Sequence, residues 1–264
     1  MIDTHTHSHH SPDGAGSIMA MTQAAQDQGL AGIAFTEHAE WYTGDPAYGY
    51  FDPDAYFAEV EHVRARFNGA TTVLAGVEVG NPHDFPETVM ALLDRYPFDL
   101  VIGSVHWLNG LPAWQAPAFE QGIEATYRRY FDELSRMVTS AQFDVLGHLD
   151  LVRRDSWTLY GQVLDLAPYR DTIDGILQRL VESGRGMEIN TSGLRKGLPD
   201  PVPGIEIIRR YRELGGELLV FGSDGHHPSH VAYGFATARD LALAAGFTRL
   251  VRFERRRPIA WIDL

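Results

Sequence analysis

The sequence contains no cysteine among its 264 residues. Disulfide bonds are therefore excluded, and any metal site must be built from His, Asp and Glu side chains. A chain without cysteine also fits a reducing compartment, so we expect the protein to be cytoplasmic.

Long apolar runs and an excess of basic charge are also missing. No apolar stretch approaches about eighteen residues, and the N-terminus has no basic region followed by an apolar one, so we expect neither a membrane span nor a signal peptide. Acidic residues outnumber basic residues by 35 to 22, which disfavours nonspecific binding to nucleic acid. A small anionic substrate would need local positive charge, which bound divalent cations would supply.

Short apolar, β-branched segments alternate along the chain with segments of helical period. The candidate strands are 2–5, 32–36, 72–77, 100–104, 145–147, 186–189, 217–221 and 250–253. The candidate helices are 19–28, 53–67, 85–96, 125–140, 168–183, 205–214 and 229–245. Because helices follow the strands, the strands are expected to be parallel.

The number and order of these elements favour one α/β domain over residues 1–264. Parallel strands and helices alternating over about 250 residues are typical of a TIM-like barrel, and a doubly wound open sheet is the alternative. Loops 40–53, 107–124 and 153–166 are long and rich in aromatic residues, so we expect them to line a functional site.

Polar side chains suited to a metal site follow nearly every candidate strand. They are His5, His7, Glu37, His38, Glu78, His106, His148, Asp150, Asn190, Asp224 and His226. The C-terminal ends of parallel strands meet at one face of a barrel, so these side chains should converge. A single buried His is usually a hydrogen-bonded core residue, which does not explain so many on one face. A His-rich set suits zinc, iron or manganese, with ligands enough for two to three divalent ions.

The opening segment MIDTHTHSHHSPDG contains four of the histidines. His5 and His7 alternate on an extended segment, so they point to the same side, and we predict that both are ligands. His9 and His10 lie beyond the strand pattern, and we predict that they are loop residues near the entrance of the site.

Six motifs carry a family resemblance: DTHTH, TEH, GVEVG, GSVHW, GHLD and GSDGH, in this order between Ile2 and His226. Together they resemble the polymerase and histidinol phosphatase (PHP) family of phosphoesterases. The resemblance implies a distorted TIM-like (β/α)7 barrel with a trinuclear metal site at the C-terminal face of the strands.

The resemblance also implies which side chains bind each ion. The first ion would be bound by His5, His7, Glu78 and Asp224, the second by Glu78, His106 and His148, and the third by Asp13, His38 and His226. Many relatives carry a His where Asp13 stands, so Asp13 could change the metal preference or the occupancy of the third site.

A closer resemblance, to the stand-alone histidinol-phosphate phosphatase branch, lies in RYPFDLVIGSVHWL, FDVLGHLDLVRR and EINTSGLRKG. It implies hydrolysis of L-histidinol phosphate to L-histidinol and phosphate, a step of histidine biosynthesis. Another small phosphate ester, such as a sugar phosphate or a nucleotide, is the alternative substrate. A regulatory metal-binding protein without catalysis is the alternative class, and the full ligand set argues against it.

The implied chemistry is attack of a metal-bound hydroxide on phosphorus, with Glu78 bridging two ions. Asp13 and His226 would act at the third ion. There, either Asp13 or water on the ion would supply the proton for the leaving group.

Three basic residues are candidates for contacts to the substrate phosphate. Arg195 is the first candidate, because a guanidinium can bind two oxygens at once. Arg153 and Lys196 are further candidates, and a surface salt bridge is the structural alternative for each. Trp107 directly follows a predicted ligand and would pack against an imidazole ring, with core packing as its alternative.

Overall fold

Seven parallel strands form a nearly closed barrel in the computed structural model, which describes residues 1–264. All strands of the structure are β1 (Ile2–Thr6), β2 (Gly32–Ala39), β3 (Thr72–Gly80), β4 (Leu100–Ser104), β5 (Trp107–Leu108), β6 (Leu111–Pro112), β7 (Val145–Leu146), β8 (Gly186–Asn190), β9 (Leu219–Gly222), β10 (Arg249–Glu254) and β11 (Arg257–Asp263). The barrel order is β1-β2-β3-β4-β7-β8-β9, while β5 pairs with β6 and β10 with β11. The predicted barrel is confirmed, and the open-sheet alternative is wrong.

The barrel closes between its first and last strands through the segment that follows β9. The His7 amide donates to the Gly225 carbonyl, and the Asp224 amide donates to the His5 carbonyl, both at 2.8 Å. The first and last strands of the barrel are thus joined directly beside the metal-type side chains.

Helices cover the outside of the barrel. They are α1 (Ile18–Asp27), α2 (Pro53–Phe67), α3 (Pro86–Arg95), α4 (Ile123–Ser140), α5 (Leu151–Tyr160), α6 (Arg170–Glu182), α7 (Ser192–Arg195), α8 (Ile205–Glu213) and α9 (Phe235–Ala244). None of them combines the length and the apolar character that crossing a membrane requires.

Helix α2 shows how the sequence sets these boundaries. The Asp52 carboxylate accepts from the amides of Asp54 and Ala55, which caps the helix, and Pro53 occupies the first turn. The buried face includes Tyr56, whose hydroxyl donates to the Phe35 carbonyl of β2 at 2.7 Å. This contact fixes the helix against the barrel wall.

Three sequence predictions of local structure are wrong. The candidate helix 229–245 begins only at Phe235, because residues 231–234 form a turn after a short 3-10 helix at Pro228–His230. Residues 153–166 do not form one long loop, because α5 continues to Tyr160 and ends at Gly161, which has φ 64°. The candidate strand 250–253 belongs to β10, which lies outside the barrel and pairs antiparallel with β11. The turn between them places Arg255 and Arg256 at positive φ, as tight hairpin turns require.

Side chains that point into the barrel change character along the strands. Successive residues point to opposite faces, so every second residue faces inward. At the strand starts these residues are apolar: Ile2, Ala34, Leu74, Leu100, Val145 and Val220. Towards the strand ends they are polar: His38, Glu78, Ser104 and Glu188. Val251 and Phe253 of β10 pack against the apolar layer and close that end of the barrel.

We expect Phe253→Ala to lower the free energy of unfolding by about 3–5 kcal/mol, because it removes a buried ring from this layer. Phe253 is 3% exposed. Ile259→Ala on β11 is the matched control, since Ile259 is 46% exposed and its truncation should cost less than about 1 kcal/mol. Urea unfolding of both variants measures the difference, and equal losses would contradict the capping role of β10.

Candidate metal centre

All nine predicted metal ligands lie together at the C-terminal end of the barrel. They are His5, His7, Asp13, His38, Glu78, His106, His148, Asp224 and His226. Strand ends and the loops directly after them supply these side chains. The convergence that the sequence pattern indicated is therefore present in the fold.

Glu78 lies at the centre of this cluster with its side chain 1% exposed. Its Oε1 is 2.9 Å from His148 Nε2 and 3.3 Å from His106 Nε2. Its Oε2 is 3.0 Å from His38 Nδ1, 3.5 Å from His5 Nε2 and 3.6 Å from His7 Nε2. One carboxylate therefore faces imidazoles on two sides, as a bridge between two ions would.

Two groups of three possible metal ligands lie on the β1 side of Glu78 and have one residue in common. His5, His7 and Asp224 have ligand atoms within 4.8 Å of one another, and so do His7, His38 and His226. His7 belongs to both groups. Its ring lies against the rings of both His38 and His226, with centroids 4.1 and 4.3 Å away, and those two rings are 5.9 Å from each other.

Asp13 is the most exposed member of the cluster. Its Oδ2 is 3.1 Å from His226 Nε2 and 3.7 Å from His38 Nε2, while 56% of its side chain is exposed. It thus lies at the solvent edge of the site, beside the two histidines with which the resemblance groups it.

The donor atoms fit divalent cations better than a network of hydrogen bonds. His5 Nε2 and His7 Nε2 are 3.1 Å apart, and two neutral imidazoles can share only one proton there. The buried His38 Nδ1 has no hydrogen-bond partner although it lies near Glu78. A buried imidazole nitrogen without a partner, beside further imidazole and carboxylate donors, is what zinc, iron or manganese would occupy.

The carboxylates of the cluster are held in their ionised form. Burial alone would raise the pKa of Glu78, but His5 and His106 hold that pKa well below its usual value. Burial also opposes ionisation of Asp224, whose pKa His5, His226 and Arg154 lower. Both side chains therefore present anionic oxygens to the centre.

Further side chains orient these residues and were not predicted as part of the site. Glu188 Oε1 is 2.7 Å from His5 Nδ1, and Glu188 Oε2 accepts from the His148 amide. Glu40 Oε1 is 2.5 Å from His106 Nδ1. Such outer carboxylates fix the tautomer and direction of a ligating imidazole. A sequence signal existed for Glu188, which is a lone charge within the apolar strand GMEIN.

Arg154 is a second kind of residue that sequence reasoning missed. Its Nη1 donates to Asp224 Oδ2 at 3.0 Å and to Ser192 Oγ at 2.8 Å. A guanidinium therefore lies directly against the metal-type cluster, in a chain whose net charge is −13. Little in the sequence favoured Arg154 over the adjacent Arg153. The structure shows that Arg154 contacts Asp224, whereas Arg153 pairs with Asp150.

Glu37 connects the loop after β1 to the cluster. Its carboxylate accepts from the hydroxyls of Ser8 and Ser11, both at 2.6 Å. Ser11 in turn lies 3.3 Å from His7 Nδ1. Glu37 thus contacts the loop that carries His7 rather than the centre itself.

The predicted phosphate-binding residues lie in different environments. Arg195 donates to the carbonyls of Ser223 and Asp224, so it lies beside the cluster and supports its backbone. Arg153 pairs with Asp150 at 2.9 Å, and Lys196 is exposed.

Trp107, which directly follows His106, is buried. Its indole Nε1 donates to Asp45 at 2.7 Å, and its ring stacks on Tyr42 with centroids 4.7 Å apart. The loop 40–53 is thereby fastened to the strand end that carries His106.

Residues 3–192 match the family model described as the PHP domain. The chain therefore belongs to the PHP domain family.

Its relatives narrow the comparison within that family. The chain is 30% identical to the "Probable histidinol-phosphatase" of Clostridium acetobutylicum, over 97% of this chain and 98% of that protein. It is also 30% identical to the "Probable histidinol-phosphatase" of Deinococcus radiodurans, over 98% of this chain and 99% of that protein. A crystal structure of histidinol phosphate phosphatase from Lactococcus lactis, complexed with zinc, L-histidinol and phosphate, aligns with a TM-score of 0.87, 25% identity and 98% coverage of each chain.

We expect Glu40→Gln to weaken zinc binding by about 10–100-fold, because it removes the negative charge behind His106 while keeping the side-chain shape. Competition with a chelator of known affinity, followed by elemental analysis, measures the loss. Glu206→Gln is the control, since Glu206 is exposed in the first turn of α8. Equal zinc affinity in both variants would remove Glu40 from the support of the centre.

Proposed function

We propose that this chain is a metal-dependent phosphatase that hydrolyses L-histidinol phosphate to L-histidinol and phosphate. The observation that carries the proposal is the His and carboxylate cluster around Glu78. It stands in a barrel that matches, over nearly its whole length, a phosphatase structure with zinc, L-histidinol and phosphate bound.

The proposed centre holds two to three divalent ions of zinc, iron or manganese. His5, His7, Glu78 and Asp224 would bind the first, Glu78, His106 and His148 the second, and Asp13, His38 and His226 the third. Such ions supply Lewis acidity that acidifies water and offsets charge on phosphoryl oxygens. Zinc is the first candidate because it occupies the Lactococcus lactis structure.

Arginine side chains supply positive charge on one side of the proposed site. Arg154 and Arg195 both contact Asp224, one at its carboxylate and the other at its carbonyl. In this proposal their remaining N–H groups bind phosphoryl oxygens, which guanidinium groups favour. Arg153 and Lys196 are assigned weaker, outer contacts, because Arg153 is engaged by Asp150 and Lys196 faces solvent.

The leaving group faces the solvent edge of the cluster in this proposal. Asp13 and His226 lie there in mutual contact, where they can hold or move a proton near the departing histidinol oxygen. Trp107 is proposed to limit the space above His106, and its ring is held by Tyr42 and Asp45.

The substrate assignment predicts a preference among phosphate monoesters. We expect kcat/KM for L-histidinol phosphate to exceed that for an aryl phosphate, a sugar phosphate or a nucleotide by roughly tenfold or more, because a site built for one ligand's polar groups rejects others. Steady-state assays at equal enzyme and metal concentrations measure the ratio. A phosphatase without this preference would contradict the substrate but not the reaction.

The metal centre predicts that Asp224→Asn lowers turnover by more than about 100-fold, since changes behind a ligand alone cost 10–100-fold. Asp224 has φ 52°, a conformation that Asn tolerates, so the variant should fold normally. Circular dichroism checks the fold, and phosphate release measures turnover. Asp240→Asn on the exposed face of α9 is the control. Full activity in Asp224→Asn would exclude Asp224 from the centre.

A further inference from the structure

A second cluster of metal-type side chains lies outside the centre around Glu78. His9, His10 and Glu59 have ligand atoms within 4.8 Å of one another. Glu59 Oε2 is 3.2 Å from His9 Nε2 and 2.9 Å from His10 Nε2. The cluster shares no residue with the barrel centre, and the proposed phosphatase reaction leaves it without a role.

The backbone around the two histidines is held in a defined shape. The His9 amide donates to the Gly16 carbonyl at 2.9 Å, so the loop closes on itself. The Tyr50 hydroxyl donates to the His9 carbonyl at 3.3 Å. The loop therefore presents both imidazoles without first having to be ordered by a ligand.

Helix α2 fixes the side chains of His10 and Glu59. The His10 ring packs edge-on against Tyr56 with centroids 5.6 Å apart, and Tyr56 is fully buried. Glu59 lies on the same helix, within reach of both histidines. Ligands on a rigid helix and a closed loop are preorganised, which is what a specific site requires.

The orientation of the imidazoles favours a cation between them over a simple ion pair. Their ring centroids are 4.5 Å apart, so both rings lie on the same side of Glu59 within reach of one of its oxygens. Only the His10 contact to Glu59 has hydrogen-bond geometry, although His9 Nε2 is also near the same oxygen. His9 Nε2 therefore lies beside the Glu59 oxygen without a hydrogen bond to it, and a cation bound among the three side chains would engage this nitrogen as well.

The separations also match a small divalent ion. Tetrahedral ligands at about 2.0–2.1 Å from zinc lie about 3.3–3.4 Å from each other. The separation of 3.2 Å between His9 Nε2 and Glu59 Oε2 is close to this value, and the separation of 2.9 Å from His10 Nε2 is shorter. Two imidazoles and one carboxylate suit zinc rather than calcium or magnesium. His9 is half exposed, so water can fill the open position.

We infer that His9, His10 and Glu59 form a peripheral zinc site, separate from the barrel centre. Its ion joins α2 to the loop that follows β1, and this loop carries His7. The site does not depend on the proposed phosphatase activity, because its ligands neither touch the cluster around Glu78 nor supply a group to the reaction.

Zinc stoichiometry tests the site. The full chain, stripped with a chelator and dialysed against buffered free zinc at rising concentration, is analysed for zinc per chain. At saturation we expect the wild type to hold one zinc ion more than Glu59→Gln or His9→Ala. His62→Ala removes an exposed histidine from α2 and should keep the wild-type count.

Two variants keep the test decisive. Glu59→Gln removes the carboxylate charge, whereas His9→Ala truncates a half-exposed loop side chain and leaves the His10 contact to Glu59 in place. Equal zinc counts in wild type and His9→Ala would overturn the site, and so would the loss of more than one ion, which would show an effect through the barrel centre. Phosphate release should stay at the wild-type rate in both variants. The zinc count tests the peripheral site even if the protein shows no phosphatase activity, because the count does not depend on turnover.

Discussion

Burial of the Glu78 carboxylate inside the barrel is the constraint on which the rest of the site depends. With 1% of its side chain exposed, its removal from water is offset by the imidazoles around it and by the Ser104 hydroxyl, which donates to its Oε1 at 2.6 Å. These imidazoles need partners of their own, which Glu188 and Glu40 provide for His5 and His106. The Glu78 carboxylate is therefore surrounded by imidazoles, and these in turn by outer carboxylates. Binding of cations at the centre of this arrangement would contribute directly to the stability of the fold.

The barrel separates this polar centre from an apolar base. Inward-facing residues such as Leu74 and Val220 form the base, and Phe253 of the C-terminal hairpin closes it. Arg256, in the turn of that hairpin, pairs with the Asp144 carboxylate at 3.0 Å. The same carboxylate accepts from the Val101 amide, so the closure is tied to two barrel strands. A densely packed apolar base holds the strand ends, and hence the cluster, in fixed positions.

The sequence was sufficient to predict the barrel and the meeting of its polar strand ends, because both follow from local periodicity and from parallel connections. It was insufficient for contacts between distant segments. The partners His5 and Glu188 are separated by 183 positions, and His106 and Glu40 by 66. The hairpin of β10 and β11 was missed for a related reason, since an apolar segment shows that it is buried without showing which sheet it joins. Helix α5 was missed because its aromatic side chains resembled those of a loop at a site.

The junction of β1 with the segment after β9 has a consequence for synthesis on the ribosome. The first strand emerges with His5 and His7, but its closing partners, Asp224 and Gly225, follow more than two hundred positions later. Domains generally fold as units during translation. The nascent chain therefore carries His5 and His7 without their barrel-closing partners until the segment after β9 is made, and the complete centre can assemble only after that segment has left the exit tunnel.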